Sequence, residues 1–139
     1  MSEIAYEFVQ RVPEAVLVEL YSAGGWWRED PSWRASLHAM VSGSYCFLVA
    51  REDSGRIVGM GRALSDGASD AYLQDIVVLE SHRGRGIGRE IIRRLTERCA
   101  AAGIGWIGLI AEPGTQEFYE SLGYRVMPGH LPMLYGKPA

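Results

Sequence analysis

The run Arg83-Gly84-Arg85-Gly86-Ile87-Gly88 constrains this chain more than any other stretch. It follows an apolar segment at 71–79 and precedes one in which Ile87, Ile91, Ile92, Leu95 and Cys99 recur at helical spacing, with Arg and Glu opposite them. A strand that feeds a helix through a glycine-rich turn exposes successive backbone N–H groups, and the helix N-terminus adds about half a positive charge. Glycine lets an anion approach the backbone closely. Arg83, Arg85 and Arg89 stand ready to add charge-assisted bonds. In physical terms the turn is a cradle for a diphosphate.

The rest of the chain reads as an α/β domain around that turn. Residues 4–9 alternate loosely and suggest an edge strand; Pro13 opens a short helix that Gly24-Gly25 stop. A loop rich in aromatics, Trp26-Trp27-Arg28-Glu29-Asp30, leads to Pro31 and a second helix carrying Trp33, Leu37, Met40 and Val41. Residues 45–50 and 56–64 form a hairpin about Asp53-Ser54-Gly55, and 71–79 is the strongest strand. The helix at about 86–102 ends at Gly103, and 106–111 reads as a strand parallel to 71–79 through the crossover. Thr115 is placed to cap a short helix that Gly123 ends, with weaker strands at 124–127 and 131–135. The expectation is one domain over 1–139, with a mixed sheet of about six to seven strands and helices on both faces.

Composition narrows the function. The 139 residues are 47% hydrophobic and 22% charged, the balance of an ordinary globular protein. No apolar stretch reaches 18 residues, so no membrane span is expected, and the start, MSEIAYEFVQ, has no secretory pattern. Two cysteines imply no disulfide framework and no visible metal site, and a reducing cytoplasm is the default compartment. A net charge of −3 argues against nucleic-acid binding, which needs a basic surface. Six arginines nonetheless fall between 83 and 98, enough to hold a small anion locally.

The turn fits neither the dinucleotide pattern G-x-G-x-x-G nor the P-loop, which needs Gly-Lys-Ser/Thr. As Arg-x-x-Gly-x-Gly directly after a strand, it resembles the acyl-CoA-binding motif of the GNAT acetyltransferase superfamily. About 30 residues on, Phe118-Tyr119-Glu120-Ser121-Leu122-Gly123-Tyr124 resembles that superfamily's Phe-Tyr-x-x-Leu-Gly-Phe signature. The resemblance covers about 45–126. It implies acetyl-CoA as donor and a cofactor lying where two parallel strands, here 71–79 and 106–111, splay apart. The backbone of Ile76, Val77 and Val78 would pair with the pantetheine arm like an added strand, and the N–H of Val77 or Val78 would polarise the thioester carbonyl. Arg83, Gly84, Arg85, Gly86, Ile87, Gly88 and Arg89 would hold the diphosphate.

The same resemblance makes Tyr119 the acid that protonates the departing thiolate; its other reading is packing beside Phe118. Three groups compete as base: Asp75, which strict alternation puts on the Val77 face unless a bulge intervenes, Glu112, where relatives carry asparagine, and His130, with a chain of waters as the alternative to all three. Asp75 reads equally as a hydrogen-bonded structural carboxylate, and Glu112 as an acid at the acceptor mouth. Trp26 and Trp27, with Trp33 and Tyr21, either line a pocket for an aromatic or apolar amine or pack the first two helices. The expected reaction is acetyl transfer to a primary amine of a small molecule, without a metal. A protein or peptide N-terminus is the alternative acceptor, and a non-catalytic acyl-CoA sensor the alternative class. Homodimers are common in the superfamily.

Overall fold

The computed structural model describes residues 3–136. The chain divides into two compact units after Leu109.

The first unit is built on a five-stranded mixed sheet in the order β1-β2-β3-β4-β5. Its strands are β1 (Ile4–Phe8), β2 (Cys46–Glu52), β3 (Ile57–Ser65), β4 (Asp70–Val78) and β5 (Trp106–Gly108). Neighbours from β1 to β4 run antiparallel, and β4 and β5 run parallel. Helices α1 (Glu14–Ala23), α2 (Pro31–Ser42) and α3 (Ile87–Ala101) cover the sheet. β2 is deeply buried between β1 and β3: Cys46 through Ala50 are all in the core, as a continuous apolar run requires.

Alternation along β3 assigns the helices to faces. A methyl group on Gly61 would lie 2.7 Å from Ile91 and Ile76 and 2.9 Å from Leu95, so α3 presses directly onto this strand. Glycine is what permits that approach. Arg62 points the other way and donates to the Met40 carbonyl of α2 at 3.3 Å. The α3 stripe Ile87, Ile91, Ile92, Leu95 and Cys99 is buried as its periodicity predicts; each of its fully buried aliphatic side chains stabilises the fold by about 1.5–3 kcal/mol. α2 starts where Asp30 caps it, with Oδ1 accepting from Ser32 N at 2.8 Å and Pro31 at the first helical position.

The second unit, from Ile110 on, holds one short helix, α4 (Gln116–Glu120). The strands expected at 124–127 and 131–135 do not form, so the sheet has five strands among the described residues. Pro128 and Pro132 remove ladder donors there, and Val126, Leu131, Met133 and Leu134 are exposed. β5 is also shorter than 106–111, ending at Gly108.

Candidate active site

The glycine-rich turn forms as its sequence suggests. A 3₁₀ turn (Glu80–His82) leaves β4, and Gly84 (φ 76°) and Gly86 (φ 79°) both take the left-handed conformation before α3 begins. Gly86 is the N-cap of α3, and no side chain caps that helix. The N–H groups of its first turn have no intrahelical acceptor, and the first helical bond runs from Glu90 N to Gly86 O. A methyl group on either glycine would meet nothing within 4 Å. The glycines are therefore set by backbone conformation rather than by close packing.

The arginines of the turn differ in use. Arg83 folds back: Nε donates to the Val78 carbonyl at 3.0 Å and Nη2 to the Ala23 carbonyl at 3.3 Å. It ties the turn to β4 and to the end of α1. Arg85 is half-buried and Arg89 exposed, and Ile87 is buried beneath the turn while Gly88 lies in the first turn of α3.

β5 pairs with β4 only at Asp70, Ala71 and Tyr72, so from Leu73 to Val78 the ladder partner of β4 is β3 alone. Register sorts the candidate amides. Leu79 N–H bonds Val58 O across the ladder at 2.8 Å; alternation turns Val77 toward β3 as well and Val78 away from it. Of the two oxyanion donors open in the sequence, Val78 is the one directed to the unpaired edge.

Ile76 and Asp75 form a β-bulge. Gln74 pairs with Arg62 and Val77 with Met60, which leaves two residues opposite Gly61. Asp75 adopts φ 58°, the one positive φ at a non-glycine position among the described residues. The bulge reverses the parity of β4, so Leu73 faces α3 whereas Asp75 and Val77 face α1 and α2. Asp75 Oδ2 accepts from Tyr21 Oη and from Arg62 Nε, each at 2.8 Å. Burial and the Asp75 charge push the Tyr21 hydroxyl pKa well above its ordinary value. Two buried donors on one oxygen make Asp75 a strut between α1, β3 and β4. Arg62, a lone charge in an apolar strand, is the residue that sequence reasoning missed.

Trp26 and Trp27 belong to an aromatic cluster that packs α1 on α2. Tyr21 lies 6.2 Å from Trp26 and 5.6 Å from Trp33, and Trp27 lies 5.2 Å from Trp33. Trp26 covers Gly24, where a methyl group would come within 2.5 Å of its ring. Both indoles are half-buried. The nearby acid is already neutralised: Glu29 accepts from Trp27 Nε1 at 3.1 Å and from Arg34 Nη2 at 3.0 Å. These bonds, that of Trp27 foremost, hold its carboxyl below the usual range.

In the second unit, Tyr119 stacks edge-on against Phe118 at 5.2 Å and Tyr124 at 6.1 Å. Burial, then the neighbouring Tyr124 and Glu112, raises its pKa. Gly123 (φ 98°) ends α4, and Tyr124 N–H returns to the Tyr119 carbonyl at 3.1 Å, which accounts for the Leu-Gly-Tyr of the motif. Thr115 makes no cap bond; its hydroxyl donates instead to the Glu112 carbonyl at 2.6 Å. Glu112 and His130 are exposed, and His130 Nδ1 bonds the Pro128 carbonyl at 2.9 Å. Among the described residues no group of three or more His, Cys, Asp or Glu could hold a metal. No helix there is long and apolar enough to cross a membrane.

A histone acetyltransferase of Glycine max is 34% identical over 60% of this chain and 36% of its own. A chloroplastic serotonin N-acetyltransferase of Oryza sativa subsp. japonica is 38% identical over 57% of this chain and 40% of its own. The chain spans between about a third and two thirds of the length of the curated relatives it matches. A solved GNAT-family acetyltransferase from Streptococcus pneumoniae TIGR4 shares the fold with a TM-score of 0.82, over 99% of this chain and 100% of that one, at 24% identity. The sequence model of the acetyltransferase (GNAT) domain matches residues 43–126, from β2 through both motifs, and the chain belongs to that family of N-acetyltransferases.

Proposed function

We propose that the chain transfers an acetyl group from acetyl-CoA to a primary amine of a small molecule. The observation that carries this reading is the uncapped start of α3, with left-handed Gly84 and Gly86 beneath it, on the same unit as the unpaired edge of β4. A diphosphate fits the first, and an amide-bearing pantetheine arm fits the second.

Each residue then has a task. The amides of Gly84, Gly86, Ile87 and Gly88 hold the diphosphate, with Arg85 and Arg89 adding charge and Arg83 fixing the turn. Ile76 and Val78 present the bulged edge, with Val77 paired to Met60 of β3 between them, and the Val78 N–H binds the carbonyl side of the donor. Bound acetyl-CoA supplies the activated acyl group; the amine loses a proton to water as the C–N bond forms and the C–S bond breaks. Tyr119 holds the proton that neutralises the leaving sulfur. Asp75 acts as a positioning residue, because both of its donors bind the same oxygen. Trp26, Trp27 and Glu112 are assigned to the acceptor side. The half-buried indoles favour an aromatic or apolar amine, and the rice relative's name points the same way.

The test is calorimetric titration with CoA, then thiol release from acetyl-CoA with a panel of small amines and N-terminal peptides. Turnover on small amines supports the proposal. Turnover on peptides alone moves the acceptor to a protein, in keeping with the soybean relative's name. Binding without turnover makes the chain a sensor. Tyr119→Phe should lower turnover at least tenfold and leave CoA affinity unchanged.

A further inference from the structure

His82 is the buried polar side chain of the core among the described residues, 8% exposed, and it directly precedes the cradle. Both of its ring nitrogens are used. Nε2–H donates to the Glu52 carboxylate at the end of β2, and Nδ1 shares a hydrogen bond with Ser81 Oγ at 2.7 Å. Glu52 sits on rigid backbone. Its N–H bonds the Arg56 carbonyl at 2.9 Å and its own carbonyl accepts from Gly55 N at 2.8 Å, closing the β2–β3 turn.

These contacts matter for the turn because of what the turn is made of. Gly84 and Gly86 have more backbone freedom to lose than any other residue type, and a cradle disordered in the free protein binds its anion more weakly in proportion to the time it spends disordered. The far end of the turn is fixed by Ile87, 2% exposed under α3. The near end is held only by the three-residue 3₁₀ turn at Glu80–His82 that leaves β4. It has His82, whose N–H bonds the Leu79 carbonyl at 2.8 Å and whose ring is anchored on β2, and the folded-back Arg83.

We infer that His82 and Glu52 are positioning residues for the diphosphate site: the His82–Glu52 bond carries the rigidity of the β2–β3 hairpin to residue 83 and holds the cradle amides in binding order before the cofactor arrives. This rests on the acyl-CoA reading for its ligand. It adds residues that neither motif contains, one of them 30 positions upstream.

The variants separate the two bonds of the ring. Gln at 82 places an amide N–H near the position of Nε2 and keeps the link to Glu52; Asn places its amide near Nδ1 and keeps only the link to Ser81. CoA affinity by calorimetry should fall about tenfold in His82→Asn and in Glu52→Leu and return to within threefold of wild type in His82→Gln. Hydrogen–deuterium exchange without any ligand supplies the second readout: amides 84–86 should exchange at least tenfold faster in Glu52→Leu, with the α3 amides beyond Leu95 unchanged. Wild-type affinity in His82→Asn, or His82→Gln no better than His82→Asn, overturns the inference. So does exchange that accelerates evenly through the unit, because it marks a general loss of stability. If wild type itself gives no heat with CoA, the acyl-CoA reading fails, and the exchange experiment still decides whether the bond orders the turn.

Discussion

Replacing Arg62 by alanine should cost this protein about 3 kcal/mol. Arg62 Nε and Asp75 Oδ2 are 2.8 Å apart, with side chains 13% and 20% exposed. Removing one partner of a buried pair typically costs about 3–5 kcal/mol, because the remaining charge loses its counter-ion while still shielded from water. Residual solvent access and the surviving bond from Tyr21 place the effect at the lower end. For a domain of this size that corresponds to a fall in Tm of about 10 °C. Tyr21→Phe removes one neutral donor from the same oxygen and should cost about 1 kcal/mol, or about 3 °C. Thermal unfolding followed by circular dichroism, with both single variants and the double variant, measures the difference and the coupling. Asp75 sits at φ 58° on these two bonds, a conformation that costs about 1–3 kcal/mol at a non-glycine residue. If Arg62→Ala melts within about 3 °C of wild type, or costs less than Tyr21→Phe, the bulge is held by something other than this network.

Three further outcomes follow from packing and charge. Gly61→Ala should destabilise by about 1–3 kcal/mol in denaturant unfolding, because its methyl group meets Ile76, Ile91 and Leu95 at once. Burial pushes the Cys46 thiol up to about 11 and raises that of Cys99, so neither should react with a disulfide reagent at pH 8 until the chain unfolds. Arg93 and Arg94 hold the Glu90 carboxyl down to about 2. A folded pKa below the unfolded one gives stability that is full above about 4.5 and lost as pH falls toward 2. Glu90→Gln should remove that part of the acid limb, about 1 kcal/mol or less for surface pairs, and leave the difference between pH 6 and 8 unchanged.

What the sequence makes legible is what repeats or punctuates. The α3 stripe has a period, Pro31 and Asp30 mark a helix start, and the glycines of the cradle sit where left-handed backbone is needed. The bulge leaves no such mark. Asp75 is not glycine, and residues 71, 73 and 77 are apolar whether or not the parity of β4 reverses. Arg62 is visible as a charge inside Ile-Val-Gly-Met-Gly-Arg-Ala-Leu, but its partner lies 13 residues away across a hairpin. His82 and Glu52 are 30 apart, and no local pattern joins them. Arg83 carries the right charge for a phosphate, yet its guanidinium finds two backbone carbonyls first. The terminal strands were suggested by apolar residues alone, and Pro128 and Pro132 outweigh them.

In the proposed function the backbone amides of the glycine-rich turn take up an anion. Titrating ¹⁵N-labelled protein with CoA and following amide shifts reads those groups one by one. Shifts concentrated at residues 84–89 and at Val78, saturating together, are the predicted result. Saturable binding that leaves those amides unmoved, or no shift at all, contradicts it.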